Sequence, residues 1–122
     1  SWLAFDARGD LWGNDFGGNR FFRLGAPTLR GTGSTDVQPQ VRITIGVLAL
    51  LEGFAFDGEG GLWSAGSAGR LIRLAPDQLD LSTTSAMPTT PRTVLTSADI
   101  GSAVNVAFYP APAGLPLFHA IP

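Results

Sequence analysis

Residues 2–29 read WLAFDARGDLWGNDFGGNRFFRLGAPTL, and residues 53–79 read GFAFDGEGGLWSAGSAGRLIRLAPDQL. The second stretch echoes the first. Phe5 and Phe56 are 56−5 = 51 positions apart, and the same offset separates Asp6 from Asp57, Leu11 from Leu62 and Trp12 from Trp63. A third, shorter copy opens at Val106-Ala107-Phe108, with Phe108 108−56 = 52 positions beyond Phe56. Self-similarity at a fixed period means that one supersecondary unit is used repeatedly and that neighbouring units bury each other's faces.

Each copy divides into four short apolar runs separated by turn residues. The first is Leu3–Asp6, matched by Phe54–Asp57, and a Gly-bearing turn follows at residues 7–10 and 58–61. Gly at such a turn supplies a positive φ without a Cβ clash. The second run is Leu11–Gly13, matched by Leu62–Ala65, and small residues after each Trp leave room for a close sheet-on-sheet approach. The third is Arg20–Leu24, matched by Arg70–Leu74. The fourth is Val41–Ile45, alternating with period two, and its partner is Arg92–Leu95. Residues 30–38 and 80–91 are polar and rich in Ser, Thr, Gly and Pro, which reads as exposed outer connections. Gly46–Leu51 and Ser97–Ala103 are the only places where a helical turn is expected.

Four strands per repeat of about fifty residues predict an all-β fold of β-propeller blades. The chain divides into blade one (1–49), blade two (50–102) and a partial, two-stranded third repeat (103–122) with strands at Val104–Tyr109 and Leu115–Ile121. A closed propeller needs roughly four to eight blades. Dividing 122 by 51 gives about 2.4 repeats, so closure is expected through a homo-oligomer, a dimer or a trimer. The rival expectation is a fragment of a longer propeller. The start at Ser1, with neither Met nor leader, fits that or export with a leader removed.

Composition narrows the function classes. Apolar residues make up 44% and charged residues 15%, enough for a packed core. Net charge is −2, so no basic footprint points to nucleic acid or an anionic membrane. All 8 basic residues are Arg. Without cysteine there is no disulfide, zinc-thiolate site or thiol catalysis. The longest apolar run, Val47–Leu51, is far too short to span a bilayer.

The motif Ala-Phe-Asp-x-x-Gly-x-Leu-Trp followed by Arg-x-x-Arg-Leu occurs as Ala4-Phe5-Asp6, Gly9, Leu11-Trp12, Arg20 and Arg23-Leu24. It recurs as Ala55-Phe56-Asp57, Gly60, Leu62-Trp63, Arg70 and Arg73-Leu74. It resembles the repeats of NHL-type and SMP-30 (gluconolactonase-like) propellers. That resemblance implies the fold, but not one activity, because propellers carry many functions. An SMP-30-like metal-dependent hydrolase would draw a Glu/Asn/Asp set from several blades, and Glu52, Asn14 and Asp15 are the candidates here. The leading expectation is instead a non-catalytic binding or structural module with no resident cofactor.

Other residues weighed for chemistry have structural readings beside them. Asp6 and Asp57 could form a ring of carboxylates, but recurrence in each full repeat favours acceptors for turn N–H groups. Phe16 and Asn19, in a Gly-rich loop that copy two does not reproduce, are the candidates for ligand contact. His119, the only histidine, reads as a strand residue that symmetry could cluster into a pH-sensitive contact. Arg8-Gly9-Asp10 matches an adhesion tripeptide but sits where a generic turn is expected, opposite Glu59-Gly60-Gly61. Trp12 and Trp63 read as core between sheets rather than sugar-stacking platforms.

Overall fold

A computed structural model describes residues 2–15, 17, 19–46, 51–101 and 105–108. The repeat is directly visible in its elements. Strands β1 (Leu3–Phe5), β2 (Leu11–Asp15), β3 (Arg20–Leu24) and β4 (Val41–Thr44) form one antiparallel sheet in the order β1-β2-β3-β4. Strands β5 (Leu51–Phe56), β6 (Leu62–Gly66), β7 (Arg70–Leu74) and β8 (Thr93–Thr96) form a second in the order β5-β6-β7-β8. The all-β, four-stranded, blade-like architecture holds, and the two sheets do not close on themselves. No helix among the described residues is long and apolar enough to cross a membrane.

Several boundaries differ from the sequence expectation. β2 runs on to Asp15, and β5 begins at Leu51 rather than Phe54, through a bulge between Leu51 and Phe54. The chain therefore enters β5 extended at Leu51, where a helical turn was expected to end. Near the other expected site, the N–H of Ile100 donates to the Ser97 carbonyl at 3.2 Å and makes a single turn. Two short 3₁₀ turns, Ala26–Arg30 and Pro76–Leu79, were not foreseen. Each carries a Pro in its first turn, where a missing N–H costs nothing. Residues 105–108 carry no strand, and 109–122, including the expected second strand and His119, lie outside the described residues.

Residues 80–91 are not a free outer loop. Thr83 donates its N–H to the Arg42 carbonyl at 2.8 Å and accepts the Thr44 N–H on its hydroxyl at 2.9 Å. Ser82 Oγ accepts the Arg42 N–H at 3.1 Å, and the Thr89 N–H donates to the Thr44 carbonyl at 2.8 Å. This segment of repeat two thus covers the open edge of β4 and satisfies backbone groups that would otherwise invite pairing. The equivalent connection of repeat one, residues 31–38, is exposed throughout.

Register assigns each side chain to a face. In sheet one, Ala4, Trp12, Arg23 and Val41 lie across from one another, as do Asn14, Phe21 and Ile43; this is the rear face. Leu3, Gly13 and Phe22 share the front face with Phe5, Leu11 and Leu24. The front of sheet two carries Phe54, Ser64 and Ile72 with Phe56, Leu62 and Leu74, and it packs on the rear of sheet one. Trp12 meets Phe56 edge-on with ring centroids 5.9 Å apart, and Phe21 meets Phe54 at 5.4 Å. Among the described residues the core is this junction, filled by large aromatic and branched side chains whose burial is the main driving force.

Candidate functional site

The turn after each inner strand is built by the repeat aspartate. Asp6 Oδ1 accepts the N–H groups of Arg8 (2.9 Å) and Asp10 (3.0 Å), and Oδ2 accepts the Trp12 indole N–H at 3.0 Å. Asp57 does the same for Glu59 (3.0 Å), Gly61 (2.8 Å) and the Trp63 indole (2.9 Å). Gly9 and Gly60 supply the positive φ of these turns, at 84° and 86°. Both carboxylates are engaged as turn acceptors, in line with the structural reading.

The two turns differ in their arginines. Arg73 donates through Nε to Asp57 at 2.6 Å and through Nη2 to Glu59 at 3.1 Å. Burial raises the Asp57 pKa, but the Arg73 hydrogen bond and the donors of Gly61, Trp63 and Glu59 outweigh it, so the carboxyl sits below its ordinary value. The same Asp57 hydrogen bond raises the pKa of Arg73. Arg23, the counterpart in sheet one, turns the other way. It lies over the Trp12 ring at 5.9 Å and donates Nη1 across the junction to Asp80 at 3.2 Å. Its Nε stays buried without a hydrogen bond, 3.7 Å from Asp10. Arg8 also reaches Asp80, at 3.6 Å.

Asp6, Arg8 and Asp80 rim a cleft of about 220 Å³ at the mouth of the junction, floored by Phe56, Pro76 and Leu79. Its charged groups are already paired with one another, so the cleft works as a charged clasp between sheets. A second hollow of about 400 Å³ lies beside β3 and β4, where Arg20, Phe22 and Arg42 meet Asp15.

The sequence candidates fall in separate places. Asn14 is buried at the inner end of the junction: its Oδ1 accepts the Trp2 N–H at 2.7 Å, and its Nδ2 donates to the carbonyls of Leu51 (3.1 Å) and Glu52 (2.7 Å). Asn14 and Glu52 therefore meet through the Glu52 backbone. Asp15 lies on the opposite face of β2 and pairs with Arg20 at 2.7 Å. Among the described residues, no three His, Cys, Asp or Glu side chains gather in a way that would hold a metal ion. Asn19 takes a left-handed φ of 49°, and its carbonyl accepts the Ile45 N–H at 2.9 Å, as Gly69 does for Ser97 at 3.1 Å. Asn and Gly are the residues that tolerate this conformation, which accounts for the polar difference between the copies there. Phe16 lies outside the described residues.

Sequence reading missed Arg8, Arg23 and Asp80, the residues that bind one sheet to the next. The available signal was a change of charge between repeats: Arg8 matches Glu59 (59−8 = 51). Comparison with known proteins finds no matching family model, no curated relative and no similar solved structure, so the resemblance to NHL-type and SMP-30 propellers rests on the motif residues alone.

Proposed function

We propose that this chain is a non-catalytic structural and binding module of the propeller type, which self-associates by stacking its open sheet faces. One observation carries the reading: equivalent positions are buried in one sheet and bare in the other. On the front faces, Phe54 is 1% exposed but Leu3 is 62% exposed, and Leu79 is 5% exposed but Leu29 is 37% exposed. On the rear faces, Ile43 is fully buried but its counterpart Leu95 is 46% exposed. Among the described residues, sheet one therefore offers an apolar front with no sheet upon it, and sheet two an open rear. Apolar faces of this kind mark interaction surfaces. By repeat equivalence the two faces occupy the positions that meet in the packed junction.

Two copies would bring about five repeats and three about seven, within the range that closes a propeller. Light scattering coupled to size exclusion, run over a concentration series, tests the reading. The expected mass is that of a dimer or trimer. A folded chain that stays monomeric at every concentration overturns it.

A further inference from the structure

Resting on that self-association reading, we infer that a swap of charges between the repeats fixes which face of one copy meets which face of the next, through Glu59 of one copy and Arg30 of a second. The packed junction is the template. There, Arg8 on the rear of sheet one lies 3.6 Å from Asp80, which follows the 3₁₀ turn of sheet two. The matching turn residues are Glu59 for Arg8 and, at 80−30 = 50, Arg30 for Asp80. The 50-residue offset is structural as well, because Thr28 donates to Gly25 at 3.0 Å as Gln78 donates to Ala75 at 2.9 Å. Both of these signs are reversed at the two open faces, whereas the closer template contact of Asp80, Arg23 Nη1 at 3.2 Å, keeps its sign as Arg73, which Asp57 and Glu59 hold at 2.6 and 3.1 Å.

The consequence is selective. A second copy laid front-first on the rear of sheet two places its Arg30 where Asp80 sits in the packed junction. It meets Glu59, whose side chain is 85% exposed, beside Arg73 and Asp57. That cluster of two carboxylates and one guanidinium has a net charge of −1, matched by the single charge of Arg30. Arg30 is exposed and makes no ion pair among the described residues. The two other pairings of the open faces bring like charges together: front one on front one offers Arg30 to a second Arg30, and rear two on rear two offers Glu59 to a second Glu59. Exposed pairs add little affinity, whereas like-charge contacts penalise wrong partners. The apolar faces supply the attraction and the charges supply the order.

Two further features agree. The outer edge of β8 is uncovered among the described residues, whereas the β4 edge is covered by Ser82–Thr89. The exposed 31–38 segment of a second copy is the equivalent cover. Ala65 stands where Asn14 stands in sheet one (65−14 = 51), so the junction between copies lacks the amide tether and is the weaker of the two.

The test is a charge exchange read by sedimentation of the intact chain, with circular dichroism reporting folding. Glu59→Arg and Arg30→Glu should each weaken self-association by about tenfold. The double variant should recover to near the wild-type constant. Glu59→Gln, the milder change, should weaken association by a smaller factor and make it less sensitive to salt. A wild type that assembles while both single variants assemble equally well overturns the charge order and leaves self-association standing. A double variant no better than its worse single parent also overturns it. A monomeric wild type removes both readings.

Discussion

Each repeat aspartate satisfies three N–H groups at once, two in the backbone of its turn and one on the indole six residues on. The cost of losing it depends on whether water can reach the abandoned donors. Trp12 is fully buried and Trp63 is half-buried, so Asp6→Ala strands its indole where Asp57→Ala does not. An unpaired buried donor costs about 1–3 kcal/mol. Asp6→Ala should therefore lower stability by about 2–3 kcal/mol in denaturant titration, and Asp57→Ala by less; the reverse order would contradict this account. Asp57 also sets a pH dependence. Burial pushes its carboxyl up, but the Arg73 hydrogen bond and three N–H donors hold it below its ordinary 3.8. A depressed folded-state pKa gives stability that is present above the unfolded value and lost as pH falls through the folded one. Wild-type urea midpoints should fall as pH drops below about 4, and Asp57→Asn should flatten that decline.

At the scale of elements, the tether between β2 and β5 is one amide. Asn14 gives both its Nδ2 hydrogens to carbonyls of β5 and takes the Trp2 N–H in return. Asn14→Ala leaves those groups in a closed junction without partners and should cost about 2 kcal/mol. Hydrogen exchange should show the loss first in β5 and around Trp2, with β6–β7 unaffected; a uniform loss would mean that the amide does not tether locally. The case also explains which parts of the fold were legible in the sequence. The eight strands were, because period-two apolar runs and Gly turns act locally. The tether formed by Asn14, a metal candidate in the sequence, was not legible, because its partners are main-chain groups, which have no letter in a sequence. Ser82 to Thr89 read as solvated loop for a similar reason: hydroxyls that pair with a strand edge look the same as hydroxyls that pair with water. The sign changes Arg8/Glu59 and Arg30/Asp80 are present in the sequence, yet they acquire meaning only when two sheets are known to meet there.

At the scale of the whole molecule, the two sheets present the same strand order with unequal protection. β4 is held between β3 and the Ser82–Thr89 segment, whereas β8 is held by β7 alone among the described residues. Three of the four β8 residues are exposed, Val94 and Leu95 among them. A bare apolar edge is a template for another chain. If a second copy stacks on the rear of sheet two, its 31–38 segment lies along β8 as residues 82–89 lie along β4. Hydrogen exchange compared between dilute and concentrated protein isolates that event. Amides of Thr93–Thr96 and of residues 31–38 should slow together as concentration rises. Those of Val41–Thr44, already covered within the chain, should not change, and they serve as the internal control. The same slowing should disappear in Glu59→Arg at equal concentration, because the charge reversal blocks the docking and leaves the sheet intact. Protection that rises equally in β4 and β8 would indicate general stabilisation. Protection confined to some other surface would place the contact between copies elsewhere.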